Sequence, residues 1–300
     1  MNSSIPDRLG FLRVLAELSK VRITAFVTLT TAMGYLLFAR RFESGLILAA
    51  AGMFLLACGS AALNQWQEAD IDARMERTRR RPIPAGHINP TAALFLAVLL
   101  MLVGLFVLTS IGQQSETLLV LSGLAVIWYN GLYTYLKRWS AFAAVPGAII
   151  GAIPPVVGYA AAGGAPTDER ILLAAMFMFI WQVPHFWLLL LMVGDQYEKA
   201  GLPTLTQLFT SAQVRRITFM WVLAAAAAGA ILPALPSGLV GLPWNLLMVI
   251  VSVWLAIKAT VLLFPPPEES MPFRRIFLQI NVFALTMVVC LAASAVLWGR

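Results

Sequence analysis

Charge is what this sequence has least of. Only 12% of its 300 residues are Asp, Glu, Lys or Arg, while 60% are hydrophobic. Mean hydropathy is +0.83. A soluble domain of this length needs far more polar surface to cover itself, so that class is excluded. Cysteine is nearly absent as well. Cys58 and Cys290 both fall in apolar runs, which leaves no disulfide framework and no cysteine metal site. The apolar runs also lack the polar–apolar alternation of a barrel. Runs of about 20 such residues must close their own backbone hydrogen bonds in lipid, so they are helices. The net charge of +7 would suggest nucleic acid in a soluble protein. In a membrane protein it reflects basic cytoplasmic loops, and no nucleic-acid partner is expected.

Nine membrane spans can be drawn, at about 22–39, 45–66, 91–110, 117–136, 140–162, 171–193, 216–235, 243–264 and 276–298. With the N-terminus in the cytoplasm, 16 of the 21 Lys and Arg fall inside. Arg40, Arg41, Arg170 and Arg300 fall outside, and Lys258 sits within a span, near enough to its end to snorkel. This asymmetry predicts an N-in, C-out polytopic protein. The start mimics a signal peptide, but its apolar stretch is long and many spans follow. It reads as a retained first helix after an interfacial segment, residues 1–21. The whole chain, 1–300, forms one membrane-embedded domain with two long cytoplasmic loops, 67–90 and 194–215. The Pro-rich "FPPPEESMPFRR" makes a third connection. No organelle-targeting presequence is evident, so a bacterial inner membrane is the expected location.

The charge that does exist is concentrated. An uncharged run, Gly45 to Leu63, is followed directly by "NQWQEADIDARMERTRRRP". Asn64, Glu68 and Asp72 are spaced i, i+4, i+8, which places three oxygen-bearing side chains on one helix face. Two carboxylates and an amide oxygen are hard ligands, suited to Mg²⁺. Arg77, Arg79, Arg80 and Arg81 follow, and guanidinium groups fork onto phosphate oxygens. Together they describe a metal–diphosphate site at the mouth of a membrane helix. A basic juxtamembrane loop facing anionic lipid, with acids moderating its charge, fits the same residues.

The second loop reads "MVGDQYEKAGLP". Asp195 and Glu198, at i and i+3, could share a face and add a second metal, or be ordinary loop charges. Within span six, "WQVPHFWLL" puts a Gln, a Pro and His185 among apolar residues. Such residues face a cavity or a partner. His185 could be a haem ligand, a proton-transfer group or a hydrogen-bonded core residue, whereas His87, in the basic loop, reads as solvated. Span five, "VPGAIIGAIPPVVGYAAAGG", is built of small residues and prolines. It reads as close helix packing, or as a helix broken beside a bulky ligand. "YNGLYTYLKR" closes span four with interfacial aromatics, then Lys137 and Arg138.

These stretches together resemble the UbiA-type intramembrane prenyltransferases. The matching pieces are "KVRIT" at Lys20–Thr24, "NQWQEADIDARMERTRRRPIPAG" at Asn64–Gly86 and "YTYLKR" at Tyr133–Arg138. "GAIPPVVGY" at Gly151–Tyr159, "WQVPHF" at Trp181–Phe186 and "YEKAGLP" at Tyr197–Pro203 complete the set. They occur in the family's order over most of the chain, and "WQVPHF" points to its haem branch rather than its quinone branch.

The resemblance implies an all-α bundle of nine transmembrane helices, with a lipid-open cavity capped on the cytoplasmic side. It implies Mg²⁺ as cofactor and transfer of a farnesyl group from farnesyl diphosphate to the vinyl group of haem B. Asn64, Glu68 and Asp72 become the first metal motif and the catalytic centre, with Asp195 and Glu198 as second-loop metal acids. Lys20, Arg22, Arg77, Arg81, Lys137, Arg138, Tyr197 and Lys199 become substrate contacts, and His185 a haem-side residue. Haem A synthase or cytochrome oxidase assembly proteins are the implied partners. Four features depart from the family pattern. Gln196 stands where an acid usually precedes the tyrosine, "KVRI" replaces "KPRI", Ala143 replaces an asparagine and "AGLPTL" replaces "AGIPML". An aromatic quinone precursor as acceptor is the competing chemistry. A transporter would instead carry ionisable residues along its helix interiors.

Overall fold

Every regular element is helical among the residues that the structure, a computed structural model, describes: 8–111, 114–234, 240–264 and 273–298. The first seven residues, most of the Pro-rich connection and Arg300 carried expectations above and lie outside the described residues.

A short helix, α1 (Arg8–Leu18), leads into the first spanning helix, α2 (Val21–Ala39), and then α3 (Ser44–Gln67). A single turn, α4 (Ala69–Asp72), opens the first long loop. The spans α5 (Pro90–Thr109), α6 (Ser115–Leu136), α7 (Ala144–Ala161) and α8 (Glu169–Met192) follow. The second long loop holds α9 (Gly194–Lys199) and α10 (Leu205–Leu208). The last three spans are α11 (Ser211–Ile231), α12 (Leu242–Leu262) and α13 (Phe273–Leu297). Among the described residues, nine helices are therefore long and apolar enough to cross a membrane, matching the nine expected.

The ends differ where local hydrogen bonding intervenes. The seventh span begins at Ser211 rather than 216, because Thr210 and Gln213 form a capping box that starts the helix earlier. The fifth begins at Ala144 rather than 140, since residues 137–143 are held in tight turns.

Lipid is as apolar as leucine, so these helices associate by close packing rather than by hydrophobic expulsion. The centre of the bundle is α7, 61% buried, whereas α5 and α6 are only 22% buried. Outward side chains such as Phe95, Phe106 and Leu242 are exposed, as lipid-facing residues are. Against α7, α2 crosses at backbone contact. A Cβ on Gly34 would run into the Pro155 carbonyl, and one on Gly158 into the Thr31 carbonyl. Two apolar clusters flank this crossing. One joins α2 and α8 to the last three spans through Met33, Phe177, Trp181 and Phe283. The other joins α3, α5, α6 and α7 through Leu56, Leu108, Leu118 and Val157.

Candidate active site

The expected stripe survives a break in its helix. At Glu68 the backbone leaves helical geometry, with φ −110° and ψ 8°, and α3 ends. The amide of Glu68 still donates to the Asn64 carbonyl at 3.1 Å, and that of Asp72 to the Glu68 carbonyl at 2.8 Å. The i, i+4 spacing therefore persists through α4. Asn64, Glu68 and Asp72 are 1%, 4% and 1% exposed.

Buried carboxylates need counter-charge, and each member of the stripe receives its own cation from a different part of the chain. Lys20, in a left-handed turn (φ 49°) between α1 and α2, donates from Nζ to Asn64 Oδ1 at 2.7 Å. Lys137, at the end of α6, sets its ammonium against the Glu68 carboxylate. Arg81 donates from Nη1 to both Asp72 oxygens, at 2.8 and 2.6 Å. Burial first, then the nearby Arg81 charge, pulls the Lys20 ammonium down to about 7. Arg138 joins the rim, donating to the Gln67 carbonyl at 2.7 Å and reaching Asp70 at 3.4 Å. Arg22 and the Arg77 side chain are exposed, so Lys20 rather than Arg22 reaches the stripe.

The second loop docks on the first without adding its acids. The Arg77 amide donates to Gln196 Oε1 at 3.0 Å, so the residue standing in place of an acid ties the two loops together. Tyr197 packs on Ile71, Met75, Ala200 and Leu202. Glu198 accepts from the Thr204 and Thr206 hydroxyls, each at 2.6 Å, while Asp195 and Lys199 are exposed. Among the described residues, no three His, Cys, Asp or Glu side chains gather where they could hold a metal. His87 is exposed, as expected.

Several residues at this rim escaped the sequence reading. Asn130 lies in a π-helical stretch of α6, Ile127–Tyr133, a local widening often found at functional sites. Its Nδ2 donates to the Ser60 carbonyl at 3.0 Å and to Gln67 Oε1 at 3.1 Å, and Gln67 Nε2 donates back to the Asn130 carbonyl at 2.9 Å. Asn64 Nδ2 donates to Thr134 Oγ1 at 3.1 Å. Gln65 Nε2 donates to the Glu17 and Leu18 carbonyls, fixing α1 against α3. The available signal was Asn130 itself, an amide inside an apolar run.

Below the charges runs a ladder of rings. Tyr129 stacks on Tyr133 at 6.1 Å between centroids, and Tyr133 on Phe186 at 5.6 Å. His185 follows at 5.8 Å from Phe186, then Trp181 at 4.9 Å from His185 and Phe26 at 5.4 Å from Trp181. Phe277 of α13 closes on His185 at 5.0 Å. The arrangement offers three oxygen-bearing side chains and several cations at one rim, with an aromatic wall beneath. Chemically it can hold a divalent cation and a polyphosphate anion above a flat or greasy group.

The profile of the UbiA prenyltransferase family matches residues 27–283. A protoheme IX farnesyltransferase of Geobacter sulfurreducens is 40% identical over 221 residues, 72% of this chain and 79% of that protein. One of Oleidesulfovibrio alaskensis is 41% identical over 192 residues, 64% of this chain and 67% of that protein. Among solved structures, a digeranylgeranylglyceryl phosphate synthase superposes with a TM-score of 0.73 at 17% identity, covering 95% of this chain and 98% of its own. A UbiA homolog from Archaeoglobus fulgidus, bound to GPP and Mg²⁺, superposes with a TM-score of 0.66 at 13% identity, covering 94% and 99%.

Proposed function

This chain belongs to the UbiA prenyltransferase family, and on that premise we propose that it farnesylates haem B at a vinyl group, giving haem O and diphosphate. It is a multi-pass membrane prenyltransferase. The observation that carries the reading is the buried pairing of Asn64, Glu68 and Asp72 with Lys20, Lys137 and Arg81. The haem acceptor is supported by relatives near 40% identity that are named protoheme IX farnesyltransferase. We place the charged rim in the cytoplasm of a bacterial inner membrane, where the basic loops belong.

Asn64, Glu68 and Asp72 fit Mg²⁺: their donors are hard oxygens on one buried face, and the Lys20, Lys137 and Arg81 contacts show that this face draws cations. They would hold it, with Asp195 as the second-loop acid, since Glu198 is engaged by two threonines. When bound, the metal supplies Lewis-acid neutralisation of the leaving diphosphate. Lys20, Arg81, Lys137 and Arg138 bind the phosphate oxygens and stabilise charge developing on the bridging oxygen as the C–O bond breaks. The exposed Arg22, Arg77 and Lys199 draw the anion toward the rim. Tyr129, Tyr133 and Phe186 wall the allylic cation and keep water from it. A terminal vinyl carbon of the acceptor then bonds to farnesyl C1. Water adds to the adjacent carbon and loses a proton, giving the hydroxyethylfarnesyl group.

Membranes carrying the protein, given labelled farnesyl diphosphate, Mg²⁺ and either haem B or 4-hydroxybenzoate, test the reading by product mass. Haem gaining a hydroxyethylfarnesyl group, lost on chelation, is the expected result. A prenylated benzoate instead would move the enzyme to the quinone branch, and solute movement without any product would make it a transporter.

A further inference from the structure

We propose that Gln65 is a positioning residue for the diphosphate end of the site: it holds the left-handed turn through which Lys20 delivers its ammonium to Asn64. This rests on the prenyl-transfer reading above, in which Lys20 binds phosphate oxygen.

Lys20 joins two helices. It follows the end of α1 and is the N-cap of α2, with φ 49° and ψ 48°. Its amide donates back to the Glu17 carbonyl at 3.3 Å, and that of Ser19 to the Leu15 carbonyl at 2.9 Å. The α1 helix therefore closes on a left-handed residue, a place that glycine usually takes. Any side chain with a Cβ is strained there. Lysine at such a position is kept for its ammonium, which reaches Asn64 Oδ1 at 2.7 Å.

Strain of this kind persists only where the surroundings over-determine it. The early part of α1 gives no such hold, since Phe11 and Leu12 are exposed. The hold is at its last turn. Leu18, fully buried, packs with Ala62, Ile83, Ala93 and Ala97. Gln65, also buried, donates from Nε2 to the Glu17 and Leu18 carbonyls, at 2.8 and 3.0 Å. Carbonyls in the last turn of a helix lack helical partners, so a side-chain donor is what they need. Turning the amide over would set its oxygen against theirs, so its orientation follows from the donor and acceptor chemistry. The Gln65 oxygen, meanwhile, is buried without a partner. A buried amide that leaves its own acceptor orphaned bears that cost for what its donors do. Gln65 and Asn64 are neighbours on α3 and grip Lys20 at both ends, one by the backbone just before it and the other by the ammonium.

The protein in nanodiscs is titrated with non-hydrolysable farnesyl thiodiphosphate and Mg²⁺, as wild type, Lys20→Met, Gln65→Met and the double variant. Lys20→Met should weaken binding about thirtyfold, through loss of a charge-assisted contact. Gln65→Met keeps the side chain's length but not its donors, and should weaken binding about tenfold. The double variant should bind within about twofold of Lys20→Met, because Gln65 then has nothing to position. Losses that multiply to roughly three-hundredfold overturn the proposal, as does wild-type binding by either single variant. Should Gln65→Met fail to fold, Gln65→Leu takes its place in the same cycle. Thermal unfolding without ligand checks the turn itself. Lys20→Gly and Lys20→Ala both lose the ammonium, and the glycine variant should unfold about 2 °C higher. Equal or reversed temperatures overturn the left-handed turn and the proposal with it. Wild type that binds the thiodiphosphate and makes prenylated product, while the losses multiply, removes the role of Gln65 and keeps the reaction. Wild type that binds none of it removes both.

Discussion

On the face that carries the two long loops, Lys20, Lys137 and Arg81 reach oxygens of Asn64, Glu68 and Asp72. On the opposite face, Arg41 pairs with Glu43 and Arg170 with Asp168. The second set is local. Each pair is two residues apart and braces a helix start, and Tyr35 and Tyr159 add hydroxyl donors at 2.7 Å to Glu43 and Asp168. Apart from the Arg81 pair, the first set spans long stretches of sequence, 44 residues for Lys20 and Asn64. Local pairs come almost free with a turn. Buried long-range pairs cost desolvation that packing alone would avoid, so their presence marks where the fold serves a task other than standing up.

The strongest way to break this contrast is to remove charge from each face in turn. Asp72→Ala should lower farnesyl transfer by about a thousandfold or more, while the protein stays folded in membranes. Asp168→Ala should leave turnover within about twofold, because Asp168 touches only the opposite-face cap. Equal losses would erase the distinction. Lys137→Met comes next. It strands the Glu68 carboxylate in a buried site and should cost about 3 kcal/mol in thermal or denaturant unfolding. Adding Glu68→Gln should recover most of that stability and none of the turnover, which sharpens the difference between holding the fold and running the reaction.

Smaller effects belong to the opposite face. Asp168 accepts from the Arg170 amide at the start of α8, so its removal should cost about 1 kcal/mol. Arg170 beside it, helped by Tyr159, holds the Asp168 carboxyl well below the usual carboxylate range. A depressed carboxyl stabilises above its unfolded value and stops doing so only as pH falls through its lower folded value. The Asp168→Ala penalty should therefore be the same at pH 7 and pH 5, as measured by thermal unfolding. Arg41→Ala, at an exposed pair, should change stability by about 0.5 kcal/mol or less.

The spans were legible because lipid imposes one rule on backbone and side chain alike, and the apolar runs obey it. Asn64, Glu68 and Asp72 were legible because helical spacing survives the change at Glu68. Asn130 was not, since its meaning depends on α3 lying beside α6, a pairing that no local pattern states. Gln196 was visible as a departure, but its job, accepting from the Arg77 amide, exists only once the loops meet. Arg22 and Lys20 exchange weight for a local reason. The left-handed turn at Lys20 aims that side chain inward and leaves Arg22 outside.

The hydrogen-sized clearance between Gly34 and the Pro155 carbonyl acts at a distance. Fourteen residues up the same rod, roughly 20 Å away, hangs the ammonium of Lys20. Wedging a methyl group into that clearance by Gly34→Ala would tip the rod, and a tilt of about three degrees over that lever arm displaces its tip by roughly an ångström, enough to spoil a 2.7 Å bond. The aim of a charge at the water's edge is thus set by an absent side chain in the middle of the oil.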